Sequence, residues 1–401
     1  MASVLYVSYD GMAEPLGQGQ VIAYLERLAD ENAIHIVSFE KPADLDEPAR
    51  MATVRDRLSK AGIGWTPMRY HSRPSAPATA YDILRGQAVV LNLAHRLCAD
   101  IVHVRSYVPA LMALPVRRIL GAKLLFDIRG FWPDERVDGG LWPKDGALYR
   151  TSKRLERNFF RAADHVVTLT QASVPVIEEF GYWDGTPPAI TVIPTCANLD
   201  LFAPSPDPRS QRPFTVGYVG SFGTWYLLDE TLRLFGAIRA EQPDSRMLIV
   251  NRHEHDAVRA AAARTGVDAT LIEIAGASHD DVPQLINRMH CASALIRPCF
   301  SKISSAPTKL AEYLGCGIPC VGNTGVGDMD MILEGRRVGV ALQSFDCEAL
   351  RNAARSIVAM AREPDIAVRC RNAALDLFSL SAGVESYRTI YRELAAGPRR
   401  G

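Results

Sequence analysis

Short apolar runs rich in β-branched residues recur along the chain, and between them apolar positions fall three and four residues apart. In the first half the runs are VLYVSYD (4–10), AIHIVSF (33–39), DIVHVRS (100–106), KLLFDIR (123–129), HVVTLT (165–170) and ITVIP (190–194). Apolarity that is continuous rather than alternating predicts strands covered on both faces, and helical periodicity such as that of 18–30 and 149–163 supplies the cover. A second set follows at FTVGYVG (214–220), RMLIVN (246–251), TLIEIAG (270–276), ASALIRP (292–298), IPCVGN (318–323) and VGVAL (338–342), and the chain ends in helical pattern over 384–396. Strands alternating with helices predict an α/β fold with parallel sheets. The proline-rich stretch 198–214 between the two sets reads as a linker. The expected architecture is two doubly wound, Rossmann-like domains of similar size facing across a cleft. The first covers 1–203 and is rejoined by the C-terminal helix 384–401; the second covers 204–383. In such sheets ligands bind at the carboxyl ends of the strands, so residues just after each strand carry the functional reading.

Composition changes this picture little. A chain of 401 residues is longer than one core usually spans, and 45 basic against 45 acidic residues give no bulk argument for nucleic-acid binding. The distribution is less even. Between Arg50 and Lys123 stand 12 Lys/Arg against 3 Asp/Glu, and Arg150, Lys153, Arg154, Arg157 and Arg161 follow on an expected helix. This basic surface reads equally as a solvated face or as a patch drawn to anionic lipid headgroups or an anionic substrate. The eight cysteines form no C-x-x-C pair, which fits a reducing compartment. The N-terminus lacks the pattern of a signal peptide, and no apolar run approaches the ~18 residues of a membrane span. A cytoplasmic protein is expected, with peripheral contact to the inner membrane face through its basic N-domain.

Chemistry concentrates in SSAPTKLAEYLGCGIP (304–319). It follows a strand, and Pro307 suits the first position of a helix. The backbone N–H groups of Thr308 and Lys309 then face outward at the positive end of the helix dipole, where an anion is favoured. Ser304, Ser305 and Thr308 add hydroxyls, and Lys302 and Lys309 add charge. Together they describe a seat for a diphosphate. Glu312, one turn in, can accept two hydrogen bonds from a vicinal diol such as ribose. Taken alone, Glu312 reads as well as a helix-dipole partner and Lys309 as a surface lysine. The glycine-rich segment that follows, 314–328, allows close backbone approach to a ligand. Near the N-terminus, GQGQ (17–20) reads either as a glycine-containing turn or as a ligand loop.

The segment TKLAEYLGCGIPCVGNTGVGD (308–328) resembles the donor site of the retaining glycosyltransferases of GT-B fold, family 4 or group 1. The resemblance extends over VSYDGMAEPLGQGQV (7–21), DIRGFWPDERVDGGLWP (127–143), ITVIPTCANLDLF (190–202) and YVGSFGTWYLLDE (218–230). It implies transfer of a sugar, with retention, from a UDP- or GDP-linked donor to an acceptor hydroxyl in polysaccharide, glycolipid or glycoconjugate synthesis. It also implies a hexosyl transferase without metal or other cofactor, closing its domains around substrate. By the resemblance, Glu312 holds the donor ribose as the second glutamate of a Glu-x7-Glu motif. Ser304 stands where the first glutamate belongs. After YVG, where many members carry Arg and Lys, this chain has Ser221, Phe222 and Gly223. Diphosphate charge is therefore assigned to Arg297, Lys302 and Lys309, with backbone donors from Gly220 and Ser221. Gly17, Gln18, Gly19 and Gln20 are expected at the donor phosphates or acceptor. Arg129, where many members place a histidine near the transferred sugar, is expected to meet negative charge. Asp127, Trp132, Asp134 and Glu135 are expected at the acceptor, a sugar, a glycolipid or a small molecule. The catalytic set is thus Arg129, Lys309 and Glu312. NRHEH (251–255) and GDMDM (327–331) read as helix starts rather than metal sites. A sugar-nucleotide epimerase of the same architecture and a non-catalytic donor-binding scaffold are the alternatives. A nucleic-acid partner is not expected, since the basic region lacks interleaved aromatics.

Overall fold

A computed structural model describes residues 1–183, 185–205 and 213–397. Part of the expected linker, 206–212, and the last four residues of the expected C-terminal helix lie outside them. The chain divides into two compact units, Met1–Ile193 with Leu380–Gly401, and Pro194–Ser379. The expected boundary at 203/204 therefore falls ten residues late.

The first unit holds β1 (Ala2–Ser8), β2 (Asn32–Glu40), β3 (Gly64–Arg69), β4 (Ile101–Arg105), β5 (Lys123–Asp127), β6 (His165–Thr168) and β7 (Ala189–Val192). They form one parallel sheet ordered β3-β2-β1-β4-β5-β6-β7. β3 is absent from the expected set. Its sequence, GWTPMR, is half-buried and carries Pro67, which the ladder tolerates because β3 is an edge strand. The sheet is covered on both faces, as one register step shows. Phe126 packs against Tyr107, Phe159 and Phe160 of the helices Tyr107–Leu120 and Ala147–Ala162. Its neighbour Asp127 points the other way and accepts a hydrogen bond from Tyr387 on the helix Leu380–Ala396. The chain thus returns at its end to complete this unit. The expected helix 18–30 also differs: it begins as a turn at Pro15–Gly17, winds as a π-helix over Gln18–Ile22 and continues as Ala23–Leu28.

The second unit repeats the plan with β8 (Thr215–Val219), β9 (Arg246–Val250), β10 (Ile272–Ala275), β11 (Cys291–Ser293), β12 (Cys320–Asn323) and β13 (Gly339–Leu342), ordered β10-β9-β8-β11-β12-β13. All its pairings are parallel. Two apolar clusters sandwich the sheet, one around Tyr313 and Leu314, the other around Tyr218 and Phe235. β11 is much shorter than the expected run 292–298. Beyond Ser293 one more ladder bond runs from Ala294 N–H to Val321 O (2.9 Å), and the chain then pairs with the 225–227 segment through Leu227 N–H to Leu295 O (3.0 Å) and Arg297 N–H to Trp225 O (2.8 Å). Side chains add to these bonds. The Tyr313 hydroxyl accepts from Val219 N–H (2.8 Å) and donates to Ser293 O (3.5 Å), while Asn323 Oδ1 accepts from Ile296 N–H (2.8 Å).

In both sheets the order reverses beside the first strand, between β1 and β4 and between β8 and β11. Those are the crevices where an open α/β sheet binds ligands.

Candidate functional site

In the second unit, β8 ends at Val219 and the chain turns at Gly220, whose φ of 104° a side chain would strain. A Cβ there would lie 3.6 Å from the Lys309 amine, an ordinary contact, so the backbone conformation rather than space calls for glycine. The turn is clamped from behind. The Glu254 carboxylate accepts from Phe222 N–H (2.9 Å) and Gly223 N–H (3.2 Å), and Asn251 Nδ2 bonds both Gly220 O (3.0 Å) and Glu254 (2.7 Å). Burial opposes the charge on Glu254, but these bonds outweigh it and hold its pKa below the usual glutamate value. NRHEH therefore joins the end of β9 at Val250 to a helix start at His255, with its glutamate and asparagine turned to this loop.

Across the crevice lies the helix Thr308–Gly315. Pro307 is its N-cap, extended at φ −66° and ψ 120°, one position earlier than expected. The first turn directs Lys309 inward. Its side chain is 7% exposed, and its amine sits 3.4 Å from the Tyr226 ring centroid and 3.9 Å from that of Tyr218. It makes no hydrogen bond among the described residues. Burial pulls its pKa well below the lysine range, with Glu312 and Glu254 pulling back. Glu312 lies one turn further on and partly exposed; burial raises its pKa to about 7 against the attraction of Lys309. A cation and a carboxylate, both poorly solvated and adjacent, are poised for groups that bring charge and hydrogen bonds with them.

Other donor-side expectations separate in the structure. Lys302 is buried with its amine 3.8 Å from the Trp225 ring, and the exposed Arg297 places its guanidinium 5.0 Å from the same ring. Trp225 thus gathers two cations beside the crevice. Ser305 and Thr308 are half-buried, and Ser221 is exposed. Ser304 is corrected: it is fully buried, and its hydroxyl donates to Ser301 O at 3.0 Å inside its own loop. The sequence reading missed Tyr218, Tyr226, Asn251 and Glu254. The aromatics lay in a quoted motif, and Glu254 in a stretch weighed only for metal. A cavity of about 860 Å3 opens elsewhere in this unit, beside the helices Leu228–Glu241 and Cys347–Met360, and no expected site residue lines it.

In the first unit the carboxyl edge centres on Asp127, 1% exposed. Its Oδ2 accepts from the Tyr387 hydroxyl (2.9 Å) and lies 3.8 Å from Arg129, 3.9 Å from Arg105 and 3.8 Å from His103. Its Oδ1 has no partner among the described residues. Burial works against its ionisation, but Arg129, His103 and Arg105 outweigh it and hold the pKa low. His103 is kept neutral mainly by burial, and its Nδ1 meets the Tyr391 hydroxyl at 2.8 Å. Asp127 is thereby committed to organising the edge rather than to meeting an acceptor. Two backbones here are strained, Ser106 and Arg129 with φ of 73° and 55°, and Gly130 follows at 139°, which glycine adopts freely. A left-handed arginine costs of order 1–3 kcal/mol, and such strain gathers where a side chain must be aimed. β5 ends at Asp127, two residues before the expected run does, so Arg129 lies just beyond the strand.

Asp134 is corrected as well. It is buried and accepts from Tyr149 (2.8 Å) and Lys153 (3.1 Å), so it braces the helix Trp132–Asp138. Trp132 packs edge-on to Trp142 at 5.1 Å and under Arg136, and Glu135 is half-buried on the same helix. GQGQ opens the expected helix, with Gly17 already in its first turn. Gly17 has no room for a side chain, since a Cβ would lie 2.1 Å from Gly11 O. Gln18 is spent on Met12 O (2.6 Å) and Arg57 (2.6 Å). Around Gly19 there is open space, and the half-buried Gln20 follows it on the π-helix, a winding that recurs at functional sites.

Residues 19–196 match the glycosyl transferase 4-like domain, and residues 213–360 match the glycosyl transferases group 1 domain. A search of curated proteins gives no match. Among solved structures, sucrose-phosphate synthase from Thermosynechococcus elongatus aligns over 99% of this chain and 100% of its own, with a TM-score of 0.72 and 15% identity. HepE of Anabaena in complex with UDP aligns over 98% and 100%, with a TM-score of 0.69 and 17% identity. The lipopolysaccharide outer core galactosyltransferase WaaB aligns over 98% and 100%, with a TM-score of 0.63 and 13% identity. Both sheets, their order and these likenesses give the GT-B fold. With its two halves matched in succession by two glycosyltransferase domains, the chain belongs to the group 1 glycosyltransferases.

Proposed function

We propose that the chain moves a hexose from a UDP- or GDP-linked donor to an acceptor hydroxyl, with retention at the anomeric carbon, in the cytoplasmic synthesis of a polysaccharide or glycoconjugate. The observation that carries this reading is the Lys309 amine, buried between two tyrosine rings at the start of a helix without a hydrogen bond among the described residues. An anionic ligand at Gly220 and the first turn of Thr308–Gly315 would complete it. A departing diphosphate meets the helix dipole, Lys309 and the cations gathered on Trp225, so charge that develops on the leaving group is stabilised in place. Glu312 is set to accept the ribose hydroxyls. HepE has been solved with UDP-glucose, which favours a uridine donor by likeness. Lys309 and the helix start supply the positive charge, so the proposed reaction needs no resident metal or cofactor. Arg129, aimed by its strained backbone, is assigned to negative charge on the substrate, and Trp132, Glu135 and the open side of Gly19 and Gln20 to the acceptor.

Calorimetric titration with UDP and with GDP, on wild type and Glu312→Ala, tests the reading. Binding of one nucleotide that weakens strongly in the variant supports it. No binding of either overturns the assignment of the diphosphate seat. The scaffold reading draws on Ser304, where the resemblance puts a glutamate. Nucleotide binding without sugar transfer to any hydroxyl acceptor or to water would support that reading.

A further inference from the structure

The helices Ser75–Arg96, Tyr107–Leu120 and Ala147–Ala162 pack side by side in one layer on the first unit's sheet. Their sequences contain two carboxylates, Asp82 and Glu156, and both are 0% exposed. Asp82 is taken by the Tyr9 hydroxyl (2.9 Å) and His71 (2.6 Å), and Glu156 by the hydroxyls of Tyr107 and Tyr182 (both 2.7 Å) and by Lys153. The exposed charge on the layer is therefore entirely positive. Arg85 and Arg118 stand on the first two helices. On the third, Arg150, Arg154, Arg157 and Arg161 recur at intervals of four, three and four, which places them in one stripe along the helix. The sequence excess of basic residues thus includes three neighbouring helices on which no carboxylate faces solvent, with the exposed Asp145 just ahead of the third.

Large apolar side chains stand exposed on the same helices. Tyr81 is 52% exposed, Leu84 67% and Leu148 55%. Tyr81 and Leu84 are one turn apart, and the Arg85 guanidinium lies 5.5 Å from the Tyr81 ring. A surface that only keeps a protein soluble mixes both signs of charge and avoids neighbouring apolar groups. On the first of these helices an exposed arginine beside exposed tyrosine and leucine suits an interface where cations meet anionic headgroups and apolar tips enter the acyl boundary. A nucleic acid would use the arginines but leave Leu84 without a role.

We propose that this helical layer is a docking surface for an anionic lipid bilayer. The proposal does not rest on the reading of Lys309 and Glu312. It is tested on the full chain by co-sedimentation with phosphatidylcholine vesicles with and without phosphatidylglycerol, at low and high salt, with short duplex DNA as competitor. Binding is expected only to the anionic vesicles and is expected to fall with salt as the charges are screened. Each arginine at such a surface contributes roughly fivefold in partition, so the triple variant Arg150→Glu, Arg154→Glu, Arg157→Glu should lose on the order of a hundredfold. Tyr81→Ser with Leu84→Ser should weaken binding yet keep its salt dependence. Circular dichroism confirms that each variant is folded, and Arg85→Glu serves if the triple variant is not. Equal binding to neutral vesicles, no binding of wild type, wild-type binding by folded arginine variants, or displacement by DNA would each overturn the proposal.

Discussion

Replacing Lys309 with methionine should make the protein more stable and less able to bind nucleoside diphosphate. Methionine has the length of lysine without the amine, and its sulfur can rest against Tyr218 and Tyr226. In the free protein the amine is buried without a hydrogen bond, at a cost of about 1–3 kcal/mol that ring contacts offset only while it is charged. The second unit spans Pro194–Ser379. For a unit of that size, recovery of this energy should raise its melting midpoint by about 2–10 °C. The pH dependence follows from the depressed pKa. An unfolded lysine stays protonated to about pH 10.4, so the cost of burying Lys309 is complete below its folded pKa. It fades as pH rises from there toward the unfolded value. The advantage of the methionine variant should accordingly be largest at neutral and acid pH and shrink in alkali. A charge-assisted hydrogen bond to phosphate adds about 1.5–3 kcal/mol, so affinity should fall by roughly 10–150-fold. Scanning calorimetry across pH and titration with UDP and GDP measure both halves. A less stable variant, or one that binds nucleotide as tightly as wild type, would refute the argument.

Glu312→Gln should flatten the pH profile of stability. Because the folded pKa of about 7 lies above the unfolded value, wild type loses stability as pH rises toward 7 and keeps that loss above it, whereas the glutamine variant does not. Gly17→Ala should lower the melting midpoint through its clash with Gly11 O. Gly19→Ala, which meets open space, should leave stability unchanged or raise it by about 0.5–1 kcal/mol, so lost transfer activity in a stable Gly19→Ala protein would place ligand there. Tyr387→Phe removes the hydroxyl from buried Asp127 and should cost about 1.5–3 kcal/mol in chemical denaturation; a neutral result would show that Asp127 is held by its cations alone.

Much of the architecture was legible because fully covered parallel strands leave continuous apolar runs, and twelve of the thirteen strands among the described residues lie within or overlap such runs. β3 escaped because an edge strand with a proline has neither a continuous nor an alternating signal. The helix start at Thr308 and the roles weighed for Lys309 and Glu312 were readable from local chemistry. The surroundings of Lys309 were not, since Tyr218 and Tyr226 reach it from another part of the chain. Ser304, Asp134 and Gln18 misled for one reason: a polar side chain near a strand end can face ligand or brace its own loop, and only packing decides which. The commitment of Asp127 was out of reach of the sequence because its partner hydroxyl stands 260 residues away.

That return of the chain bears on how the protein is made. Tyr391 reaches His103 across 288 residues and Tyr387 reaches Asp127 across 260, so the first unit is the last to be finished during synthesis. The ribosome must release all of Pro194–Ser379 before Leu380–Ala396 is free to dock. Until then the face of the first unit's sheet beneath that helix stays bare, and His103 and Asp127 lack the tyrosine hydroxyls that meet them in the finished unit. A chain cut short at its last helix would carry every residue of the Lys309 site and still arrive as an unfinished protein.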